Sequence, residues 1–237
     1  MLYYLYMLTD NQNFNTTLNL FEKNMTQSEL MQYLKTGNIA QKQVCALKLE
    51  YLENIEQAKI LVQNLTGQDG KIREAVAHKV NELIPQYPQY FLNNEIFEIF
   101  TNAILDINSN VCRNVISAIL NLKNNPDFCN YFTQSLIKKT MPLIEIVKKI
   151  DFKDGKYKVN KEAFKLYWCL ETIAQFRDKF DLNDIKQVVI QTKGIEEYTI
   201  REKTAKILAG KFGDNELKEI KAQLKNDDNY YVKRCLK

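Results

Sequence analysis

The sequence predicts an all-α protein, a right-handed α-α superhelix of about five or six stacked helix pairs. Three observations predict this fold class. Apolar residues recur at helical spacing along nearly all of the 237 residues, with no convincing alternation of period two. Gly and Pro number only 7 and 4, which is poor material for a β-sandwich or a loop-rich fold. A short polar-to-basic motif also recurs at intervals that can each hold two short helices and their turns.

The N-terminal segment, residues 1–23, is expected to form a cap helix over the first repeat. Its opening stretch, MLYYLYMLTD, is apolar but has neither a basic region nor a small-residue cleavage site, so it is a poor signal peptide. No run in the chain approaches the roughly 20 apolar residues that span a bilayer, so we expect no membrane insertion. Met7 remains an alternative to Met1 as the true start.

The recurring motif is a polar residue, two variable residues, a β-branched residue and a basic residue. Clear copies start at Asp69, Glu197 and Asn229, a weaker copy starts at Asn38, and the copy at Asn108 has its Arg one place late. A sixth copy near KYKVNKEAF keeps only Val159. Aligned on the β-branched position, the copies stand at residues 41, 72, 111, 159, 200 and 232. This period is typical of an α-solenoid, and the whole chain is expected to be one such domain, residues 1–237.

Each copy has the chemistry of a helix start. Asp, Asn or Glu there can accept hydrogen bonds from free backbone N–H groups, and the small or apolar residues that follow suit an inner helix packed between neighbours. The outer helices are expected between the copies, at about 27–36, 54–65, 93–106, 129–149, 182–192 and 214–225. Thr26 and Glu29 form a predicted capping box for the first of them.

The middle of the chain, residues 126–165, is the irregular part of the array. Pro142 is expected to kink or split the fourth outer helix, and this repeat is the longest. Asp154 and Gly155 are expected at the tip of an exposed turn. We therefore expect an insertion here.

Two segments, residues 207–234 and 61–84, resemble the HEAT-repeat consensus, in particular the short variety named after phycobilisome lyases. The match consists of the small-residue helix end Ala209-Gly210, the Gly213-Asp214 turn, the apolar outer helix that follows and the final NYYVK. The resemblance implies architecture and no catalytic residue, so lyase activity does not follow from it. It also implies a structural ladder of charged residues tying one repeat to the next: Asp69, Arg73, Arg113, Arg201 and Lys233.

The sequence contains few of the residue patterns that indicate an enzyme. His78 is the only histidine, and the chain has neither a P-loop nor a GxGxxG motif. The cysteines are five in number with no CxxC spacing, which predicts no metal site and no disulfide framework and fits a reducing, cytoplasmic compartment. We expect no catalytic residue, no cofactor and no bound metal.

The expected function is binding of a protein partner through the concave inner-helix face. The sequence does not identify this partner. Candidate contact residues are Lys79, Asn114, Ser117, Lys165, Trp168 and Lys206, although core packing is the default expectation for Trp168. Val232, Cys235 and Leu236 could leave an open apolar edge near the C-terminus, through which the protein could self-associate.

Nucleic-acid binding is the alternative. Between Lys138 and Lys165 there are 9 Lys against 4 acids, although a solvated face is the default explanation of such a run. The candidate residues are Lys138, Lys139, Lys148, Lys149, Lys153, Lys156 and Lys158. Bacterial alkylpurine DNA glycosylases are also HEAT-like solenoids, but that family relies on several Trp and an Asp. This chain has one Trp with no Asp beside it, so the activity is not expected.

Overall fold

The computed structural model describes residues 14–67, 69–152 and 160–237, and all the regular structure in these ranges is helical. The α-helices are α1 (Phe14–Glu22), α2 (Gln27–Thr36), α3 (Ile39–Lys48), α4 (Ile55–Val62), α5 (Gly70–Leu83), α6 (Asn94–Ala103), α7 (Ser109–Ile119), α8 (Pro126–Val147), α9 (Lys161–Phe176), α10 (Leu182–Thr192), α11 (Tyr198–Leu208), α12 (Asn215–Leu224) and α13 (Tyr230–Arg234). Short 3-10 turns cover Gln63–Leu65, Pro88–Phe91 and Leu120–Leu122. Most of the expected cap helix and the expected turn at Asp154-Gly155 lie outside the described residues.

Every described helix that opens a motif copy has the expected polar residue at its N-terminus. Asn38, Asp69, Asn108, Glu197 and Asn229 each accept a hydrogen bond from a backbone N–H of the helix that follows. Their side chains thereby satisfy donors that the first turn of a helix leaves free. The capping box of Thr26 and Glu29 at the start of α2 is also present.

The sixth copy starts at Asn160, which caps α9 by accepting from the N–H groups of Glu162 and Ala163. Counting from this cap, Ala163 takes the β-branched position and Phe164 takes the basic one. Aligning this copy on Val159 was therefore wrong by one helical turn. Phe164 thus places an aromatic ring where four of the five other copies carry Lys or Arg.

The chain divides into two compact units, residues 1–128 and residues 129–237, each of which contains three helix pairs in its described part. In the first unit, α3, α5 and α7 pack side by side as an inner layer, and α2, α4 and α6 form an outer layer. Each outer helix also packs on the inner helix that follows it, and α1 covers α3. This two-layer stacking of helical hairpins is the packing of an α-solenoid.

The second unit repeats the arrangement. Helices α9, α11 and α13 pack in sequence as the inner layer, while α10 and α12 pack on α11 and on each other as the outer layer. Helix α8 contacts α9 through the rings of Phe132 and Phe176, whose centroids are 5.1 Å apart. The core of each unit lies between its two layers and consists of fully buried aliphatic and aromatic side chains such as Val76, Phe100, Leu166 and Leu208.

Helix α8 is the irregular element, as expected, but Pro142 does not split it. The helix continues for 22 residues with Pro142 inside it. Proline removes one backbone donor from the helix. The apolar residues Leu136 and Ile144 on either side are fully buried, and this packing explains why the helix continues through the missing hydrogen bond.

The five cysteines take part in no disulfide bond. Four of them are buried, and Cys235 is half-buried. In the described residues, no helix is both long and apolar enough to cross a bilayer.

Candidate functional site

Two of the residues expected in the ladder, Arg73 and Arg201, form ion pairs with an Asp in the turn before the next inner helix. Arg73 on α5 donates to Asp106 through Nε and Nη2, the second contact being 3.1 Å long. Asp106 stands two residues before the cap of α7, and its Oδ1 also accepts from the Asn108 backbone N–H at 2.8 Å. Arg73 thus ties its repeat to the next one through an Asp that precedes the motif.

Arg201 repeats this geometry in the second unit. It donates to Asp227 through Nε at 2.7 Å and through Nη2 at 3.1 Å, and Asp227 in turn accepts from the backbone N–H of Asn229 at 2.8 Å. The hydrogen bonds from Arg201 lower the pKa of Asp227 despite its partial burial, which acts in the opposite direction. The bidentate geometry is the one that makes Arg–carboxylate pairs strong.

The other expected ladder residues behave differently. Asp69 caps its own helix, and Lys233 acts on Asp227 only through its charge. Placing Arg113 in the ladder was wrong: its side chain is exposed and donates to Asn110 of its own helix at 3.3 Å. The reason is its position, since Arg113 stands one place beyond the ladder position, which Cys112 occupies.

A cleft of about 430 Å³ opens on the inner layer of the second unit, at the N-terminal ends of α9 and α11. Its lining is mostly apolar and combines aromatic side chains with a few polar ones. The volume falls within the range of small-ligand and side-chain sites. The lining residues are Phe152, Asn160, Ala163, Phe164, Tyr167, Trp168, Glu197 and Thr199.

Three of the four aromatic residues lie on two successive turns of α9. Phe164 and Trp168 are four residues apart and therefore share a helix face, with ring centroids 6.2 Å apart and an angle of 74° between the ring planes. Tyr167 lies 5.2 Å from Trp168 at 85°. Phe164 and Tyr167 thus each stand at a steep angle to the ring of Trp168.

The polar groups of the cleft come from the two helix starts. Glu197 Oε1 accepts from the backbone N–H of Thr199 at 3.1 Å and from its hydroxyl at 2.9 Å. Glu197 Oε2 has no hydrogen bond within the described part of the chain. Trp168 is only 8% exposed, and its Nε1–H has no hydrogen-bond partner among the described residues.

A buried charge cluster adjoins the aromatic wall. Glu171 lies one turn after Tyr167 and forms an ion pair with Lys203 at 3.1 Å and a hydrogen bond with Lys206, while Lys203 Nζ lies 4.4 Å from the centroid of the Tyr167 ring. The Lys203–Glu171 contact is ionic in character, because Glu171 Oε2 accepts no well-aligned hydrogen bond. Glu202 approaches Lys203 at 3.6 Å, so two cations face two carboxylates.

Burial would raise the pKa of Glu171, but its hydrogen bonds with Lys206 and Gln175 and the charges of Lys203 and Lys206 lower it on balance. Burial would likewise lower the pKa of Lys203, and the hydrogen bond with Tyr167 and the charge of Glu171 raise it instead. Both groups are therefore ionised at neutral pH. The cluster holds Tyr167 in place and leaves little net charge beside the cleft.

The residues expected to contact a partner are only partly brought together. Trp168 lines the cleft, Lys206 belongs to the adjoining cluster, and Lys165 is half-buried and paired with Glu162 on α9. Asn114 and Ser117 lie on α7 in the first unit, where Asn114 is half-buried and Ser117 is exposed. As a contact residue Lys79 was expected to be exposed, and this was wrong: it is only 8% exposed and pairs with Glu82 on its own helix.

The lysine-rich stretch is mostly solvated where the structure describes it. Lys138, Lys148 and Lys149 are exposed and Lys139 is half-buried. Lys148 is occupied by Glu145 at 3.0 Å and by the side-chain amide oxygen of Gln191 at 2.8 Å. Lys153, Lys156 and Lys158 lie outside the described residues.

The expected apolar edge near the C-terminus is wrong in its main residues. Val232 and Leu236 are buried, and only Cys235 is partly accessible. Exposed aromatic surface in this region belongs instead to Tyr198, Tyr230 and Tyr231.

Reasoning from sequence missed most of the site. Phe164, Glu171, Lys203 and Glu197 were not expected to act together. A signal for the first was present, since the correct register of the sixth copy puts Phe164 where the other copies carry Lys, Arg or Cys. The Glu171–Lys203 pair left no comparable signal, because its partners are 32 residues apart in sequence on different helices.

The fold and this site define a class, the α-solenoid repeat proteins. In the described residues, no group of three or more His, Cys, Asp or Glu side chains could hold a metal ion. The sequence matches no protein-family profile, and no curated protein matches it significantly.

Solved structures similar to this chain include an engineered protein and a designed armadillo-repeat protein. The engineered protein is 11% identical, with 98% of this chain and 92% of the other covered and a TM-score of 0.41. The designed armadillo-repeat protein is 14% identical, with 93% and 95% covered and a TM-score of 0.41.

Proposed function

We propose that this protein is a non-catalytic scaffold of HEAT-type repeats that binds a protein partner through the inner-helix face of its second unit. The observation that carries the proposal is the aromatic cleft on α9 and α11. Aromatic residues in a concave, mostly apolar site are the usual anchors of protein recognition. The adjoining cluster fixes Tyr167, so the cleft is preorganised and costs little ordering on binding.

The charge around the cleft favours protein over nucleic acid. Nucleic-acid sites need cations that are free to approach phosphates. Lys203 and Lys206 are instead committed to Glu171, and Lys165 is committed to Glu162. A partner here is recognised by shape and aromatic contact.

Site-directed photo-crosslinking in cells of the native host tests the proposal. A photoreactive phenylalanine analogue replaces Phe164 in the cleft, and a matched control replaces Gln187, which is exposed on outer helix α10. We expect one defined protein to crosslink from position 164 and not from position 187. The purified partner should then bind Tyr167→Ala at least about tenfold more weakly than the unaltered protein, as expected for a central aromatic anchor. Equal crosslinking from both positions, or unchanged affinity of Tyr167→Ala, would contradict the proposal.

The alternative is nucleic-acid binding through the exposed lysines Lys138, Lys148 and Lys149 of the α8 region. This alternative is tested by measuring the affinity of the protein for single-stranded and duplex oligonucleotides at about 50 and about 200 mM salt. Steeply salt-dependent binding that is lost when these three lysines are changed to Gln would favour the alternative. We expect no such binding.

A further inference from the structure

We infer that the cleft on α9 and α11 is an aromatic cage for a quaternary alkylammonium group, presented as a methylated lysine side chain of the partner protein. This inference rests on the proposed function and specifies the chemistry recognised at the same site. It draws on three features: the arrangement of the rings, the free carboxylate oxygen and the scarcity of hydrogen-bond acceptors in the cleft.

Rings that adjoin at steep angles can turn more than one face toward a bound cation. The faces of aromatic rings carry negative electrostatic potential, and several faces turned toward one point attract a cation together. Phe164 and Tyr167 stand at 74° and 85° to the plane of Trp168, and Phe152 also lines the cleft. The volume of about 430 Å³ accommodates a trimethylammonium group and the methylene chain that carries it.

Charge at the cleft is compatible with a cation. Among the residues that line the cleft, Glu197 is the only carboxylate, and its Oε2 has no hydrogen bond within the described residues. Opposing charges come from Lys203 beside Tyr167, from Arg201, whose charge interacts with Glu197, and from the partial positive charge of the two helix N-termini. Glu171 and Glu202 neutralise Lys203, and Asp227 neutralises Arg201. The caps Asn160 and Glu197 offset the helix ends.

The cleft offers an unmodified lysine one uncommitted carboxylate oxygen, Glu197 Oε2, which cannot satisfy all three of its N–H donors. A primary ammonium carries three N–H donors, which lose free energy if they are buried without partners. Asn160 Oδ1 already accepts from two backbone N–H groups, and Glu197 Oε1 accepts twice from Thr199. A trimethylammonium has no N–H to satisfy and sheds its hydration more easily, so this cleft selects the methylated form.

Trp168 provides a direct readout, because it is the only tryptophan of the chain and lines the cleft. Its fluorescence is followed while the purified protein is titrated with N-acetyl-trimethyllysine amide. Parallel titrations use the unmodified lysine amide, and the neutral analogue in which carbon replaces the charged nitrogen. We expect the trimethyllysine to bind about tenfold or more tightly than either comparison compound.

Two variants localise the binding. Phe164→Leu keeps apolar volume and removes one ring, so it should reduce the preference for the charged compound over its neutral analogue. The matched control Tyr230→Leu removes an exposed ring outside the cleft and should leave the titration unchanged. Circular dichroism verifies that both variants are folded, and the preference ratio does not depend on the amount of folded protein.

Three results would overturn the inference: no fluorescence change with trimethyllysine, equal affinity for its neutral analogue, or tighter binding of free phosphocholine than of trimethyllysine. The last result would identify a headgroup rather than a protein side chain as the source of the cation. A partner that crosslinks from position 164 while trimethyllysine fails to bind would leave the proposed function standing and reject only the cage.

Discussion

Glu171 is a carboxylate whose place in the fold depends on two lysines. Its side chain is only 13% exposed, and that of Lys203 is 8% exposed. A buried pair of this kind costs desolvation of both partners, and the cost is offset only while both are present. Removing one partner is therefore far more damaging than removing both.

We predict that Glu171→Leu lowers the free energy of unfolding by about 3 kcal/mol or more, because it strands Lys203 next to the Tyr167 ring with only Glu202 nearby. The double variant Glu171→Leu/Lys203→Met should recover most of this loss, since it replaces the pair with apolar volume. Urea denaturation of the two single variants and the double variant measures the coupling. Additive effects in the double variant would show that the pair does not act as a unit.

At the scale of helices, an Arg–Asp ion pair of the same geometry joins neighbouring repeats in each of the two units. Arg73–Asp106 and Arg201–Asp227 each link an inner helix to the turn before the next inner helix. The Asp side chains are 7% and 8% exposed, so each Arg also satisfies an otherwise buried charge. The ladder therefore belongs to the contact between repeats.

Arg73→Ala should lower the free energy of unfolding by about 1.5–3 kcal/mol, because Asp106 loses its charged partner while it stays buried. Arg113→Ala is the matched control: it removes an exposed Arg bonded only within its own helix, so its effect should stay within about 0.5 kcal/mol. Thermal and chemical denaturation of both variants gives the comparison. Similar losses of stability in the two variants would show that the Arg73–Asp106 pair does not stabilise the contact between repeats.

The sequence predicts a structural feature well when that feature depends on residues close together in the chain. Helix positions and caps depend on neighbours within four residues, so Thr26, Asn38 and Asn108 could be placed from local pattern alone. The partner of Arg73 lies 33 residues away, and many carboxylates stand at comparable distances. The burial of Lys79 also escaped prediction, because burial depends on packing between elements that lie far apart in sequence.

The candidate site was even less accessible to prediction. Its cleft forms where the starts of α9 and α11 lie side by side, and its walls depend on the register of a degenerate repeat copy. Trp168 could be named as a candidate because tryptophan is rare and amphipathic. The alternative of simple core packing fitted its helix pattern equally well, and both descriptions hold, since Trp168 is buried and also lines the cleft.

At the scale of the molecule, carboxylates with lowered pKa values are spread over both units. In the first unit, the backbone N–H of Thr26, Lys23 and the Thr26 hydroxyl lower the pKa of Glu29 to about 2. In the second unit, the backbone N–H of Leu217 and the side chain of Lys186 lower that of Asp214, and Arg201 lowers that of Asp227. Asp184 is an exception, because burial raises its pKa.

The sign of the resulting pH dependence follows from these directions. A carboxylate whose pKa is lower in the folded state than in the unfolded state binds protons more weakly when folded, so acid favours unfolding. The stabilisation is present above the ordinary pKa values of about 4.5 for Glu and 3.8 for Asp, and it is lost as the pH falls below them. The lysines with raised pKa values, Lys59 and Lys186 among them, keep their charge throughout this range and add no acid dependence.

We therefore predict that the free energy of unfolding is nearly constant from pH 7 to pH 5 and falls steadily from about pH 4.5 to pH 2. Urea denaturation at half-unit pH intervals measures it. Arg201→Gln removes the charge that lowers the pKa of Asp227, so this variant should be less stable at pH 7 and should lose less stability on acidification than the unaltered protein. Parallel curves for the two proteins would mean that the Arg201–Asp227 pair does not contribute to the acid sensitivity of the molecule.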